Sequence, residues 1–121
     1  MSKRILVVED QADNRRILRD LLTSAGYEII QAENGEEALA AAARDRPDLI
    51  LMDIQLPLLD GYEATRRIKA DPELRAIPII VITSYALSGD ESKAKAAGCD
   101  AYVAKPFSPR ALLAKVREYL P

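Results

Sequence analysis

Charged and polar side chains follow four short apolar runs of this chain, at the point where each run ends. In chain order they are the pair Glu9-Asp10, Asp53, the pair Thr83-Ser84 and the pair Lys105-Pro106. If these ends meet, the three carboxylates repel one another by about 4 kcal/mol for each pair at about 4 Å. A cation must then offset them, and oxygen ligands in a chain without histidine are typical of Mg²⁺, with Mn²⁺ as an alternative.

The same residues have the chemistry of a phosphoryl acceptor. Mg²⁺ in proteins commonly takes one or two carboxylates together with waters and a phosphate oxygen. The hydroxyl of Thr83 and the ammonium of Lys105 are donors suited to the remaining phosphate oxygens, and a carboxylate can attack phosphorus to form an aspartyl phosphate. Each pair alone is as typical of a solvated turn, a cap or a loop. Complementary chemistry at four run ends favours a Mg²⁺-assisted phosphoryl acceptor.

Alternating strand and helix patterns predict the elements that position these residues. The predicted strands are Ile5–Val8, Tyr27–Ile30, Leu49–Met52, Ile79–Ile82 and Ala101–Ala104. Five helices are predicted between and after the strands. The first is indicated by the helical spacing of Ile17, Leu18, Leu21 and Leu22, and the second by an Asn34 cap with Glu37 placed for a capping box. The third and fourth are the segments Gly61–Lys69 and Asp90–Ala97, and the last begins at Ser108-Pro109. This alternation is typical of a parallel sheet with helices on both faces.

One strand order that fits five such units is the flavodoxin-like order 2-1-3-4-5. We expect a flavodoxin-like, doubly wound (βα)5 sheet in the order 2-1-3-4-5, with the continuously apolar first, third and fourth strands at its centre. Ligands of such sheets bind outside the carboxyl ends of the strands, near the switch in strand order. Five side chains would then converge on one pocket: Glu9, Asp10, Asp53, Thr83 and Lys105.

Length and composition narrow the class of protein. The chain has 121 residues, 49% hydrophobic and 30% charged, and a net charge of −2, so we expect one domain over residues 1–121, with no room for an output domain. The charge balance lacks the basic excess of a nucleic-acid binder. No apolar stretch has the length of a signal-peptide core or a membrane span. The lack of histidine excludes Ser-His-Asp hydrolysis.

A single cysteine, Cys99, excludes an internal disulfide and is expected to be a small buried residue. We therefore expect a cytoplasmic protein.

The segments that carry these residues resemble the receiver domain of two-component response regulators. They are Ile5–Asp10, Asp48–Asp53, Leu56-Pro57 with Asp60-Gly61, Ile79–Thr83 and Ala101–Pro106. The resemblance extends from Lys3 to Leu120. Within the family, the chain looks most like stand-alone, DivK-like regulators, a narrower match carried by Asp48–Pro57, Gly89-Asp90 and Gly98-Cys99.

The resemblance implies a phosphorylation site and a metal site. Asp53 would accept a phosphoryl group from the phosphohistidine of a histidine kinase or a phosphotransfer protein. Asp10 would bind Mg²⁺ directly, with Asp53, and Glu9 would do so largely through water. The backbone carbonyl of Gln55 would be a further ligand. The domain would catalyse only its own phosphorylation and dephosphorylation, and would otherwise not be an enzyme.

The resemblance also implies a switch. Thr83 would follow the phosphoryl oxygen, and Lys105 would bridge to the phosphate. Tyr102 would be the aromatic residue that turns inward when Thr83 moves, and the peptide bond before Pro106 is expected to be cis. Tyr85 and Gln55 stand where family members tune dephosphorylation.

Two surfaces are expected to meet partners. In the family, the fourth helix, the fifth strand and the last helix form the surface for a downstream protein. The alanines on the inner side of Asp90–Ala97 indicate a shallowly packed helix that moves easily, or a rigid filler. The first helix carries Arg15, Arg16 and Arg19, which form a solvated face or, as in the family, a dock for the phosphodonor protein. We expect a monomer or weak dimer that binds neither nucleic acid nor membrane.

Other classes fit less well. A haloacid-dehalogenase-like phosphatase would have a second Asp at position 55, where this chain has Gln55. A flavodoxin would have a Ser/Thr/Gly-rich phosphate loop where this chain has acidic Glu9-Asp10-Gln11. A receiver excised from a hybrid kinase and an interaction module that never turns over phosphate remain as alternatives.

Overall fold

Five strands follow the apolar runs of the chain in the computed structural model, which describes residues 2–83 and 90–121, without the side chains of residues 90 and 91. They are β1 (Arg4–Val8), β2 (Glu28–Ala32), β3 (Leu49–Asp53), β4 (Ile79–Thr83) and β5 (Ala101–Ala104). All four strand pairs are parallel, in the order β2-β1-β3-β4-β5. The predicted flavodoxin-like order is confirmed. The predictions that concern Ser84, Tyr85 and Gly89 lie outside the described residues.

Within the described residues, five helices cover the two faces of this sheet. They are α1 (Ala12–Ser24), α2 (Gly35–Asp45), α3 (Gly61–Ala70), α4 (Asp90–Ala97) and α5 (Pro109–Tyr119). Helices α2, α3 and α4 bury residues such as Ala38, Ile68 and Ala94 against one face. Helices α1 and α5 bury residues such as Leu22 and Leu112 against the other. The result is the doubly wound arrangement that the strand–helix alternation predicts.

The central strands are apolar throughout because both of their faces are covered. Successive side chains of a strand point to opposite faces. In β3, Ile50 and Met52 belong to the core under α2, α3 and α4, whereas Leu49 and Leu51 belong to the core under α1 and α5. Every residue of β3 and β4 is buried. The prediction that the first, third and fourth strands are central is confirmed.

The predicted bounds of the second strand, Tyr27–Ile30, were wrong by one to two residues, since β2 runs from Glu28 to Ala32. Tyr27 belongs to the turn that ends α1, where its backbone N–H donates to Leu22 O at 3.1 Å. The strand continues to Ala32 because that residue pairs with Val8 of β1. β2 is an edge strand, so its polar residues can face solvent without ending the pairing.

Side-chain caps define three helix starts. Asn34 Oδ1 accepts from Glu37 N at 2.8 Å, and Ser108 Oγ accepts from Ala111 N at 3.0 Å, as the sequence predicts. Asp60 caps α3 in the same way. The capping box differs from its usual form, because Glu37 Oε1 accepts from the N–H of Glu33, one residue before the cap. The side chain of Glu37 therefore also fixes the turn at Glu33 that precedes helix α2.

Helix α4 packs through small side chains. Ala94 and Ala97 are buried, which confirms the alanine inner face. Cys99, just after the helix, is half-buried and packs against the same core. Burial, followed by the charge of Asp100, raises the pKa of its thiol. Cys99 therefore has the surroundings of a structural cysteine.

None of the helices in the described part of the chain combines the length and the apolar composition of a membrane span.

One hydroxyl of α3 yields a test of the packing. Thr65 is fully buried, and its Oγ1 has no hydrogen-bond partner among the described residues. A buried hydroxyl without a partner destabilises the folded state by roughly 1–3 kcal/mol. We expect Thr65→Val to raise the free energy of unfolding in urea by about 1 kcal/mol. Thr23→Val, at an exposed position of α1, should leave it nearly unchanged. An equal or lower stability for Thr65→Val would contradict the packing described here.

Candidate functional site

Three carboxylates meet at the carboxyl edge of β1 and β3. One carboxylate oxygen each from Glu9, Asp10 and Asp53 lies within 4.8 Å of the other two. The two strands run in parallel with Val8 opposite Met52, so the residues that follow leave the sheet at the same edge. Glu9 and Asp53 are only 2% and 6% exposed, whereas Asp10 is half-exposed. The cluster thus combines two buried carboxylates with one that reaches solvent.

Lys105 brings a positive charge to both buried carboxylates. It follows β5, and its Nζ lies 3.3 Å from Glu9 Oε1 and 3.3 Å from Asp53 Oδ2. Burial by itself would lower the pKa of Lys105, but the charges of Asp53 and Glu9 outweigh it and raise that pKa above the usual value. Lys105 therefore stays charged between them. The peptide bond between Lys105 and Pro106 is cis, as the family resemblance implies.

Backbone amides hold the second oxygen of each buried carboxylate. Gln11 N–H donates to Glu9 Oε2 at 3.1 Å, and Gln55 N–H donates to Asp53 Oδ1 at 3.1 Å. Each carboxylate thus meets Lys105 through one oxygen and the amide two residues ahead through the other. An ionised carboxylate offers about four lone-pair sites, so acceptor capacity remains for a further ligand. The orientation of both groups is set by the chain itself.

The donor set fits a hard divalent cation. Burial, followed by a hydrogen bond with Glu9 and the repulsion of its charge, raises the pKa of Asp10. Lys105 offsets one of the three negative charges, and a divalent cation would match the other two. The ligand atoms are all oxygens, which Mg²⁺ and Mn²⁺ prefer. Glu9, Asp10 and Asp53 could therefore hold such an ion. Gln55 is exposed, and the role of its carbonyl as a ligand stays a prediction.

Thr83 and Tyr102 lie on one face of the sheet beside this cluster. Thr83 ends β4 and is 1% exposed, one residue beyond the partner of Asp53 in the register. Tyr102 pairs with Val81, and Ala104 pairs with Thr83. Because Val81 and Tyr102 belong to the core under α2, α3 and α4 and Thr83 lies two residues after Val81, the side chains of Thr83 and Tyr102 point to that same side of the sheet. The chain turns directly from there to Lys105, whose N–H donates to Thr83 O at 2.6 Å. The backbone of Lys105 is thereby fixed beside the end of β4.

Helix α3 packs against the backbone of Asp53 through Gly61. A Cβ at Gly61 would lie 2.2 Å from Asp53 O, far inside van der Waals contact. Gly61 N–H also donates to Ile54 O at 3.0 Å. Any larger residue would push the helix away from the strand end or move Asp53. Sequence reasoning identified Gly61 as part of a helix start and of the family resemblance but not its contact with Asp53, because a close approach between two segments leaves no local signal.

Two further residues near the site were missed by the sequence interpretation. Arg15, which it grouped with Arg16 and Arg19, is half-buried, and its Nη1 donates to Glu9 O at 2.8 Å. The available signal was its place in the first turn after the acidic pair. Leu58 is 80% exposed and has a positive φ of 68°, in the loop that leads from Asp53 to α3. A bulky residue in that conformation is strained.

An apolar groove of about 550 Å³ runs from this cluster along α1. Its lining includes Ile17, Leu18, Leu21, Phe107 and Pro109, with Glu9 and Lys105 at the charged end. Ile17 is 60% exposed and joins the other apolar side chains of the lining in one continuous patch. The groove is therefore an apolar surface that adjoins the carboxylate cluster.

A doubly wound five-stranded sheet with an acidic cluster and a lysine at its carboxyl edge defines the CheY-like class of signalling proteins. The chain belongs to the response regulator receiver domain family, whose model matches residues 5–117.

Several relatives cover almost the whole chain. The polar-differentiation response regulator DivK of Brucella anthropi is 47% identical over 99% of this chain and 98% of its own, and that of Brucella ovis is 45% identical over the same shares. The receiver domain of a sensor histidine kinase from Pseudomonas aeruginosa PAO1 is 40% identical, with a TM-score of 0.92 over 99% of this chain and 98% of that one. Its crystal structure has a magnesium ion coordinated in the active-site cleft. CheY4 of Vibrio cholerae is 29% identical, with a TM-score of 0.92 over 98% and 99% of the two chains.

The dual contact of Lys105 yields a prediction about metal affinity. Its ammonium competes with a divalent cation for the same two carboxylates, so Lys105→Met should tighten Mg²⁺ binding several-fold in isothermal titration calorimetry. Without metal, the same change leaves Glu9 and Asp53 without their cation and should lower the free energy of unfolding by roughly 3 kcal/mol. Lys115→Met removes a more exposed ion pair with Glu118 and should change neither value. Weaker Mg²⁺ binding by Lys105→Met would refute the competition.

Proposed function

We propose that this protein is a phosphorylation-dependent response regulator, in which Asp53 accepts a phosphoryl group from a histidine kinase or a histidine phosphotransfer protein in the presence of Mg²⁺. The observation that carries the proposal is the position of Asp53, nearly buried between the ammonium of Lys105 and the acidic pair Glu9 and Asp10. Family membership supports it. So does the magnesium ion in the related receiver of the Pseudomonas kinase.

The chemistry is an in-line displacement at phosphorus. A carboxylate oxygen of Asp53 attacks the phosphorus atom, a P–O bond forms, and the P–N bond to the donor's imidazole breaks with its electron pair returning to nitrogen. Lys105 and the hydroxyl of Thr83 donate to the phosphoryl oxygens as the transfer proceeds. When bound, Mg²⁺ supplies charge neutralisation for those oxygens, and it would be held by Glu9, Asp10, Asp53 and the backbone carbonyl of Gln55, the list that the family implies.

The switch rests on residues that share one face of the sheet. The phosphoryl group would favour the conformer with Thr83 drawn towards Asp53 and Tyr102 turned inward. Tyr102 belongs to β5, which lies between α4 and α5, so its movement alters the α4-β5-α5 surface. The small inner residues Ala94 and Ala97 of α4 oppose a shift of that helix weakly. A downstream protein would bind the altered surface.

Two contexts are consistent with this mechanism. The similarity to DivK over nearly the full length favours a stand-alone regulator. The similarity to the receiver of a sensor histidine kinase favours, as a second candidate, a receiver that acts within a hybrid kinase. In either context we propose a cytoplasmic domain that is monomeric or weakly dimeric, and a composition with a single cysteine agrees with a reducing compartment.

Phosphorylation of Asp53 is tested by intact-protein mass after incubation with acetyl phosphate. We expect the wild type to gain one phosphoryl group in Mg²⁺ and none in EDTA, and Asp53→Asn to gain none, because an amide is not a nucleophile towards phosphorus. Asp20→Asn, an exposed position of α1, should behave as the wild type. A Mg²⁺-dependent gain on Asp53→Asn would place the phosphoryl group elsewhere. No gain by folded wild type from acetyl phosphate or from a phosphorylated histidine phosphotransfer protein would favour a phosphate-independent interaction module.

The groove along α1 predicts how the phosphodonor protein docks. A helix of the donor could bury the exposed Ile17 and bring its phosphohistidine towards Asp53. We expect Ile17→Glu to slow transfer from a phosphorylated histidine phosphotransfer protein at least tenfold, with the acetyl phosphate rate unchanged, because a small donor needs no docking surface. Thr23→Glu adds the same charge at an exposed position of the same helix, outside the groove. An equal loss in both variants would assign the effect to charge instead of docking.

A further inference from the structure

Arg15 contacts two segments from the first turn of α1. Its Nη1 donates to Glu9 O at 2.8 Å, and its Nη2 lies 3.3 Å from Glu33 Oε1. Its side chain is 13% exposed. Arg16 and Arg19, on the same helix, pair instead with the exposed acids Asp13 and Asp20. The guanidinium of Arg15 therefore spans the turn after β1 and the turn after β2.

The contact with Glu9 acts on Asp10. A peptide unit is planar, so the carbonyl oxygen of Glu9 and the amide nitrogen of Asp10 belong to one rigid plane. A hydrogen bond that holds Glu9 O thereby sets the direction in which the chain enters Asp10. The preceding peptide is held separately, because Glu9 N–H donates to Ala32 O at 3.0 Å. The side chain of Glu9 is held by Lys105 and Gln11.

The contact with Glu33 anchors the other end of the guanidinium. The backbone N–H of Glu33 donates to Glu37 Oε1 at 3.1 Å, so Glu33 is tied to the start of α2. The side chain of Glu33 is 60% exposed, and an ion pair at such a position adds little stability. Its contribution is geometric, because the rigid planar fork of arginine fixes the directions of two acceptors relative to each other, whereas the ammonium of lysine is a point charge on a flexible stem.

We propose that Arg15 is a positioning residue for the divalent-cation site: it holds the Glu9–Asp10 peptide so that the carboxylate of Asp10 faces those of Glu9 and Asp53. This inference rests on the Mg²⁺ binding in the proposed function. Residues that hold metal ligands in place commonly change metal affinity by 10–100-fold when removed. Arg15 would act on the metal through Glu9 and Asp10.

The charge of Arg15 and its positioning role predict opposite effects on Mg²⁺ affinity, so a binding measurement distinguishes them. A cation beside a metal site weakens metal binding by repulsion, so loss of Arg15 would tighten Mg²⁺ binding if charge were its contribution. Loss of positioning weakens it. Arg15→Lys separates the two effects further, because lysine retains the charge and lacks the fork. A positioning role predicts that Arg15→Lys lies closer to Arg15→Ala than to the wild type.

The experiment is titration of the full chain with MgCl₂, and separately with MnCl₂, in a calorimeter. We expect the dissociation constant of Arg15→Ala to rise about tenfold, with Arg16→Ala, the matched control, unchanged. The melting temperature of each variant is also measured in EDTA. If the role of Arg15 were purely structural, its loss would lower the metal-free melting temperature and leave the Mg²⁺ affinity of the folded protein unchanged. An affinity for Arg15→Ala equal to or tighter than the wild type would overturn the inference.

A second variant keeps the test open if Arg15→Ala does not fold. Glu33→Gln removes only the negative charge of the exposed anchor, so we expect it to lose less Mg²⁺ affinity than Arg15→Ala. In the double variant of Glu33→Gln and Arg15→Lys, we expect a loss smaller than the sum of the two single losses. Full additivity would overturn the anchoring through Glu33. Wild type that fails to bind Mg²⁺ would overturn the proposed metal use and this inference together, whereas wild-type binding with unchanged Arg15 variants would overturn this inference alone.

Discussion

The structure depends on one electrostatic constraint, the placement of two buried carboxylates within reach of a single ammonium. Glu9 and Asp53 are almost fully buried, and an isolated charge at such depth is strongly unfavourable. Lys105 compensates both at 3.3 Å, and the amides of Gln11 and Gln55 satisfy the remaining oxygens. The compensation is incomplete because Asp10 adds a third carboxylate whose pKa is raised by burial and by Glu9. This deficit of positive charge is the physical basis for the proposal that the cluster binds a divalent cation.

That constraint explains much of the surrounding architecture. Parallel strands place the ends of β1, β3 and β5 at one edge, which no hairpin arrangement of the same segments would do. Gly61 lets α3 approach the carbonyl of Asp53 to a distance that excludes any side chain. Arg15, which belongs to α1 on the other face of the sheet, contacts the carbonyl of Glu9. The acidic cluster is thus supported from both layers of helices, so its geometry is set by the packing of the whole domain and not by a flexible loop.

Prediction from sequence succeeded where local patterns carry the information. The apolar runs identified all five strands, and the caps at Asn34 and Ser108 were found from residue type alone. It was wrong about the bounds of β2, because Tyr27 looks like a strand residue yet belongs to the turn after α1, and an edge strand tolerates the polar Gln31. It also treated three arginines of α1 as equivalent. Helical spacing shows which residues share a face, but it cannot show that the carbonyl of Glu9 lies beside one of them.

The amino-acid sequence by itself determined the alternation of strands and helices and the identity of the charged residues at the strand ends. These properties follow from hydrophobic periodicity and the rules of parallel sheets, which act over short stretches of chain. The tertiary structure decided which charges are buried, that Lys105 contacts Glu9 and Asp53 together, and that Arg15 joins the turn at Glu9 to the turn at Glu33. These are contacts between residues distant in sequence, and their geometry exists only once the sheet and both helical layers have packed.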